Sequence, residues 1–170
     1  MEKNTFWQII DTTRQAAEGD PYEHVNTLQE ALGKLEAEEI VDFDRIFREH
    51  RASAYTWGLW GAAYVIGGGC SDDSFMDFSA WLISKGEAVY ETALQNPDSL
   101  ADVVTEQDGD AQVESLNYAA SQAWEKKLNK SFKEFPRHDV DHPSEPSGDP
   151  WDEDEEELAQ LFPKLHKKFN

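Results

Sequence analysis

Three carboxylates, Asp72, Asp73 and Asp77, crowd a short stretch that opens on Gly67-Gly68-Gly69 and Cys70-Ser71. Asp73 and Asp77 are four apart and share a face if the segment is helical. Carboxylates so placed could hold a hard cation such as Mg²⁺ or Ca²⁺. The plainer reading has Asp72 capping a helix, Asp73 complementing its positive end and Asp77 facing water. The calcium-loop pattern of alternating acids closed by a Glu is absent, so neither a metal nor a cofactor is expected. Cys70 would gain nucleophilicity from a helix N-terminus behind it. Yet His24, His50, His138, His142 and His166 form no local motif that would seat a base, so a structural cysteine and no catalytic residue are expected. The triple glycine lacks the Gly-Lys-Ser/Thr of a phosphate loop. His138 and His142 have a zinc-compatible spacing, but a proline-rich setting makes them surface-loop residues.

Helices must carry these groups. The spacing of Phe6, Ile9, Ile10 and Thr13 predicts a helix from about Asn4 or Thr5, with Asn4 as its cap. Gly19-Asp20-Pro21 ends it. A second helix follows from about Tyr22 with Val25, Leu28, Leu32 and Leu35 on one stripe. A third starts near Glu38 and turns Ile40, Phe43, Ile46 and Phe47 inward. Tyr55 to Ile66 is apolar nearly all round, which marks a central buried helix, although a short buried strand shares that pattern. Trp57, Trp60 and Tyr64 recur along it and suit a core or a groove wall. Ser71 or Asp72 caps the next helix, carrying Phe75, Phe78, Trp81 and Leu82. A short helix through Val89 to Leu94 stops at Asn96-Pro97. Thr105 to Asp110 reads as a loop and Ala111 to Lys130 as one long helix. The expected architecture is a single compact all-α, multi-helix domain. Its helical core spans residues 1–135. Residues 136–170 form a proline-rich linker and a short acidic helix that docks on that core.

The 170 residues carry 35 acids against 15 Lys and Arg, a formal charge of −20. Nucleic-acid binding depends on cations that displace counterions, so direct binding to nucleic acid is not expected, nor is binding to an anionic membrane. A lone cysteine, no basic-then-apolar leader and no long apolar run point to a cytoplasmic protein. A polyanion of this size fits a basic protein as partner, with charge steering the encounter.

At three places the chain resembles a known family. These are Phe6-Trp7-x-x-Ile10-Asp11, Tyr55-x-x-x-Leu59-Trp60-x-Ala62-Ala63-Tyr64, and Gly68-Gly69-Cys70-Ser71-Asp72-Asp73-x-Phe75-x-Asp77-Phe78-x-x-Trp81-Leu82-Ile83-x-x-Gly86. They are similar to the bacterial domain of unknown function 4240, as are Trp151 and Phe162-Pro163-x-Leu165. The resemblance implies one folded domain with the Gly68 to Trp81 segment as its hallmark, and no catalytic role for any residue. Trp60, Tyr64, Gly69, Cys70, Ser71, Asp72, Asp73, Asp77 and Trp81 are therefore the candidate binding residues. Their expected use is in a protein-interaction module of regulatory or immunity-like type. The alternatives are a small enzyme or ligand- or metal-binding domain built on Asp72, Asp73 and Asp77, and a nucleic-acid mimic using the acid run Asp152 to Glu157.

Overall fold

Hydrophobic spacing and capping chemistry together set the helix boundaries in the computed structural model, which describes residues 1–170. The α-helices are α1 (Lys3–Ala16), α2 (Pro21–Leu32), α3 (Ala37–Ser53), α4 (Trp57–Gly67), α5 (Asp72–Ser84), α6 (Glu87–Gln95), α7 (Ala119–Leu128), α8 (Glu155–Leu161) and α9 (Pro163–Phe169). Short 3₁₀ turns cover Pro97–Asp102, Glu106–Asp108, Glu114–Tyr118 and Phe132–Glu134. The chain is a single all-α domain. Asp20 caps α2 by accepting from the amides of Tyr22 and Glu23, with Pro21 pre-set for the first turn. Glu36 and Glu39 close a capping box on α3. Asn4 is not the cap of α1: the cap is Glu2, two residues earlier, and Asn4 lies inside the first turn.

The predicted helix from Ala111 to Lys130 is broken. Ala111 has φ +56°, residues 114–118 wind as 3₁₀, and the α-helical part begins at Ala119. The cause is tertiary: the Val113 amide donates to the Asp77 carbonyl on α5 at 3.2 Å, which takes residues 111–113 out of helical register. Local propensity is a weak prior against such a contact.

One continuous apolar cluster joins α1 through α7, with Phe6, Ile10, Leu28, Leu59, Phe78 and Trp81 among its buried members. Leu158, Phe162 and Leu165 belong to the same cluster. Fully burying a side chain of this kind contributes about 2 kcal/mol, so the C-terminal helices are held chiefly by these three residues. Gly61 makes room for them: a Cβ there would stand 2.5 Å from the Phe162 ring. Trp151 donates its Nε1–H to the Trp57 carbonyl at 2.7 Å and packs edge-on to Trp57 and Tyr64. Asp98, itself buried, accepts from the amides of Lys164 and Leu165 at the start of α9. Between core and tail, Ser147 exchanges backbone hydrogen bonds with Tyr55 and Trp57, pinning the proline-rich segment to the α3–α4 joint. No helix is long and apolar enough to cross a membrane.

Two histidines are core residues. His24 pairs through Nε2 with the Thr13 hydroxyl at 2.9 Å. His50 lies against Phe6, Trp7 and Tyr90, whose hydroxyl donates to the His50 carbonyl at 2.7 Å. Burial lowers both imidazoles to about 4, with Arg14 adding to the effect at His24 and Lys3 at His50. The unfolded chain titrates them near 6.5, so it binds protons that the fold refuses. Their stabilisation is complete above that value and is lost as pH falls toward 4. Urea unfolding should therefore lose about 2 kcal/mol per histidine between pH 7 and pH 5. His24→Gln and His50→Phe should each remove about half of that combined histidine loss. An unchanged loss in both variants would show that neither is held neutral.

Candidate functional site

The turn between α4 and α5 is fixed by sequence-local means. Gly68 takes the left-handed conformation (φ +65°) that ends α4, and Gly69, with φ +135°, returns its amide to the Tyr64 carbonyl at 2.9 Å. Trp60 donates its indole N–H to the Cys70 carbonyl at 3.0 Å and stacks on Phe75, so it clamps the turn onto both helices. Ser71, rather than Asp72, is the N-cap of α5 and accepts from the Ser74 amide. Cys70 is not an activated thiol. Burial, with Asp72 adding its charge, pushes it up to about 11, which overrides the helix N-terminus behind it.

The acids diverge. Asp72 and Asp73 are exposed in the first turn of α5, and Asp77 is half-buried one turn on. No group of three or more His, Cys, Asp or Glu side chains is placed to hold a metal ion, so the cation cage that the spacing allowed does not form. His138 and His142 part as well: the first lies 3.2 Å from Asp44, and the ring of the second packs, tilted, against Tyr55. Tyr64 faces Trp151 and Glu153 at the tail, away from the α5 acids, and partial burial raises its phenol.

Asp77 belongs to a relay. Asn117 donates its Nδ2–H to Asp77 at 2.9 Å and accepts at Oδ1 from Arg51 Nη1 at 2.8 Å. Burial raises the Asp77 carboxyl, Glu114 and Asp73 add to the rise, and Arg51 and Asn117 oppose it without cancelling it. Met76 and Tyr118, next along the chain to Asp77 and Asn117, are 41% and 45% exposed. Asp72, Asp73 and Glu114 are exposed around them. The surface is thus an acidic rim about two apolar side chains.

Trp81 is not on that surface. It has no exposed area, and its Nε1–H goes to Asp108 at 2.9 Å. Asp108 also accepts from the Lys85 ammonium and from the amide and hydroxyl of Thr105 at 2.8 and 3.0 Å. Burial alone would raise this carboxyl, but the donors outweigh it and hold the group below its ordinary value. Sequence reasoning missed Met76, Arg51, Asn117, Tyr118 and Asp108. Met76 falls at an unspecified position of the Gly68 to Gly86 motif and the others in no motif, and only the break in the 111–130 helix turns residues 114–118 toward α5.

Over residues 1–126 the chain matches the model of a family described as "Protein of unknown function (DUF4240)". No curated protein and no solved structure matches it.

The two aspartates should respond oppositely to amidation. Asp108→Asn leaves the Lys85 ammonium, largely buried, without its counter-charge. It should cost about 3 kcal/mol in denaturant unfolding at neutral pH. Because the Asp108 carboxyl is depressed, its contribution is present above about pH 4 and fades below it. Asp77→Asn removes a charge that the fold disfavours and keeps an acceptor for Asn117. It should leave the melting temperature unchanged or raise it by about 2 °C. A clear fall would mean that Asp77 is bound more tightly as an anion than its surroundings imply.

Proposed function

The chain belongs to the DUF4240 family, and from that premise we propose that it is a protein-interaction module whose acidic α5 face receives a basic, partly apolar segment of a partner protein. The observation that supports this reading is that Met76 and Tyr118 are both exposed next to the bonded pair Asp77 and Asn117, where Asp73 and Glu114 bring further negative charge to Asp77 and Asp72 is exposed in the same helix turn as Asp73. Exposed aromatic and thioether side chains supply desolvated contact area, and the carboxylates supply steering and register. Lysine or arginine on the partner would find carboxylates on several sides. Asp77 would gain most, since a cation beside it relieves the repulsion from Glu114 and Asp73. The formal charge of −20 extends that attraction beyond the contact itself. The module works by occupying its partner, which is how a regulator or an immunity-like factor acts.

Affinity purification of the tagged chain from its native cells tests the reading at low and high salt. One stoichiometric basic protein should be recovered at low salt and lost at high salt, because exposed charge pairs are screened. Charge reversal by Asp72→Lys with Asp73→Lys should reduce recovery about tenfold, as should Met76→Ala with Tyr118→Ser. Recovery that ignores both salt and these four positions sinks the proposal.

A further inference from the structure

Arg51 is an anomaly in so acidic a chain. Arg14, Arg45 and Arg48 each have a carboxylate within 4 Å, and Arg137 is exposed to water. Arg51 is half-buried and has none. Its one hydrogen bond runs from Nη1 to the neutral amide of Asn117. Burial and the neighbouring Arg48 both weaken its hold on the proton, and Asp44 and Asp77 only partly compensate. A half-buried guanidinium without a counter-anion has lost part of its hydration, a cost that a bound anion would return.

Arg51 lines a cavity of about 300 Å³ between the end of α3, the first two turns of α5 and residues 142–144. Phe75 and Met76 form an apolar wall. Tyr55, His142 and Ser144 add polar groups, and Asp72 also borders the space. The size suits a small ligand.

We propose that this cavity binds a small carboxylate with an apolar body, the carboxylate on Arg51 and the body against Phe75 and Met76. One guanidinium matches one carboxylate through its planar donor fork. A phosphate dianion would face a single cation within reach of Asp72 and Asp77, in the field of a strongly negative chain, and is disfavoured. The donors left over after the Asn117 bond are those that a carboxylate needs, and Asn117 holds the guanidinium plane in place. The apolar wall selects acids with a hydrocarbon portion over formate or acetate. A free acid and the C-terminal carboxylate of a peptide present the same group. The inference does not rest on the basic-partner reading, and loss of salt-sensitive capture would leave it standing.

Calorimetric titration of the full chain with phenylacetate, and with a pentapeptide ending in Phe, decides it. Each acid is compared with its amide. Phenylacetate should bind at least about tenfold more tightly than phenylacetamide, because the amide cannot replace the ion pair. If the peptide acid binds more tightly still, the natural source is a chain terminus; if it does not bind, the source is a free acid. Arg51→Met should abolish the acid preference and Arg51→Lys should weaken it. Ser144→Trp, at an exposed rim position, should block binding while the Arg51–Asn117 bond stays intact, and it decides alone if Arg51→Met does not fold. Equal binding of acid and amide, no binding of either acid, or full binding to the Ser144→Trp protein overturns the proposal.

Discussion

The buried carboxylate of Asp108 sets the position of everything that follows it in the chain. With no exposed side-chain area it cannot be solvated, so it needs protein donors at each oxygen. Trp81 in the last turn of α5 and Lys85 at its C-cap supply them, and Thr105 supplies two more from the loop itself. The loop is therefore anchored to one side of α5 before the chain turns through Gly109 and Ala111 at positive φ. From there Val113 reaches the Asp77 carbonyl and Asn117 reaches its carboxylate. The position of Glu114 near Asp77 follows from that sequence of contacts. A lone substitution at Asp108 would thus act on the acidic face from a distance, through the register of residues 105–118.

A second constraint is how a tail rich in acids lies against an acidic body. Apolar residues hold it. Charge is sorted within the tail itself, with Glu155, Glu156 and Glu157 in the first turn of α8 and His166, Lys167 and Lys168 in the last turn of α9. Each set complements a helix end. Lys168 donates to the carbonyls of Ala101 and Val104, and Asp98 caps α9 in return, so the 3₁₀ turn and the last helix satisfy each other's unpaired backbone groups. Net charge is a poor guide to whether such a segment packs, because the contacts are local.

The helices from α1 to α6 were legible because their apolar stripes, caps and Gly or Pro stops agree with one another. Phe6 and Ile10, Val25 and Leu28, and Phe75 and Phe78 all face the core as their spacing requires. The all-α class was legible for the same reason. The break at 111–118 was not, since its cause is a hydrogen bond to a residue over thirty positions away. The candidate segment divides the same way. Ser71 and the glycine turn could be read locally, whereas the fate of each aspartate depends on what lies opposite it. Arg51 shows the limit most clearly. At the end of α3 it reads as a cation complementing the helix dipole, and nothing in its neighbours along the chain indicates that it is half-buried without a carboxylate.

The relay from Asp77 through Asn117 to Arg51 joins the acidic face to the cavity that Asp72 and Met76 share with it. Each charged end is disfavoured by its own burial, and each eases the other: Arg51 lowers the Asp77 carboxyl and Asp77 raises the Arg51 guanidinium. A direct ion pair would satisfy both groups and leave neither available. The neutral amide between them keeps the charges apart, oriented and incompletely compensated, the carboxylate toward the exposed face and the guanidinium toward the cavity. Incomplete compensation of this kind is unfavourable in a purely structural contact and useful in a binding one, because the ligand provides the missing charge. That is the physical reason to look for function on both sides of Asn117 rather than at the aspartate triplet that the sequence first brings to notice.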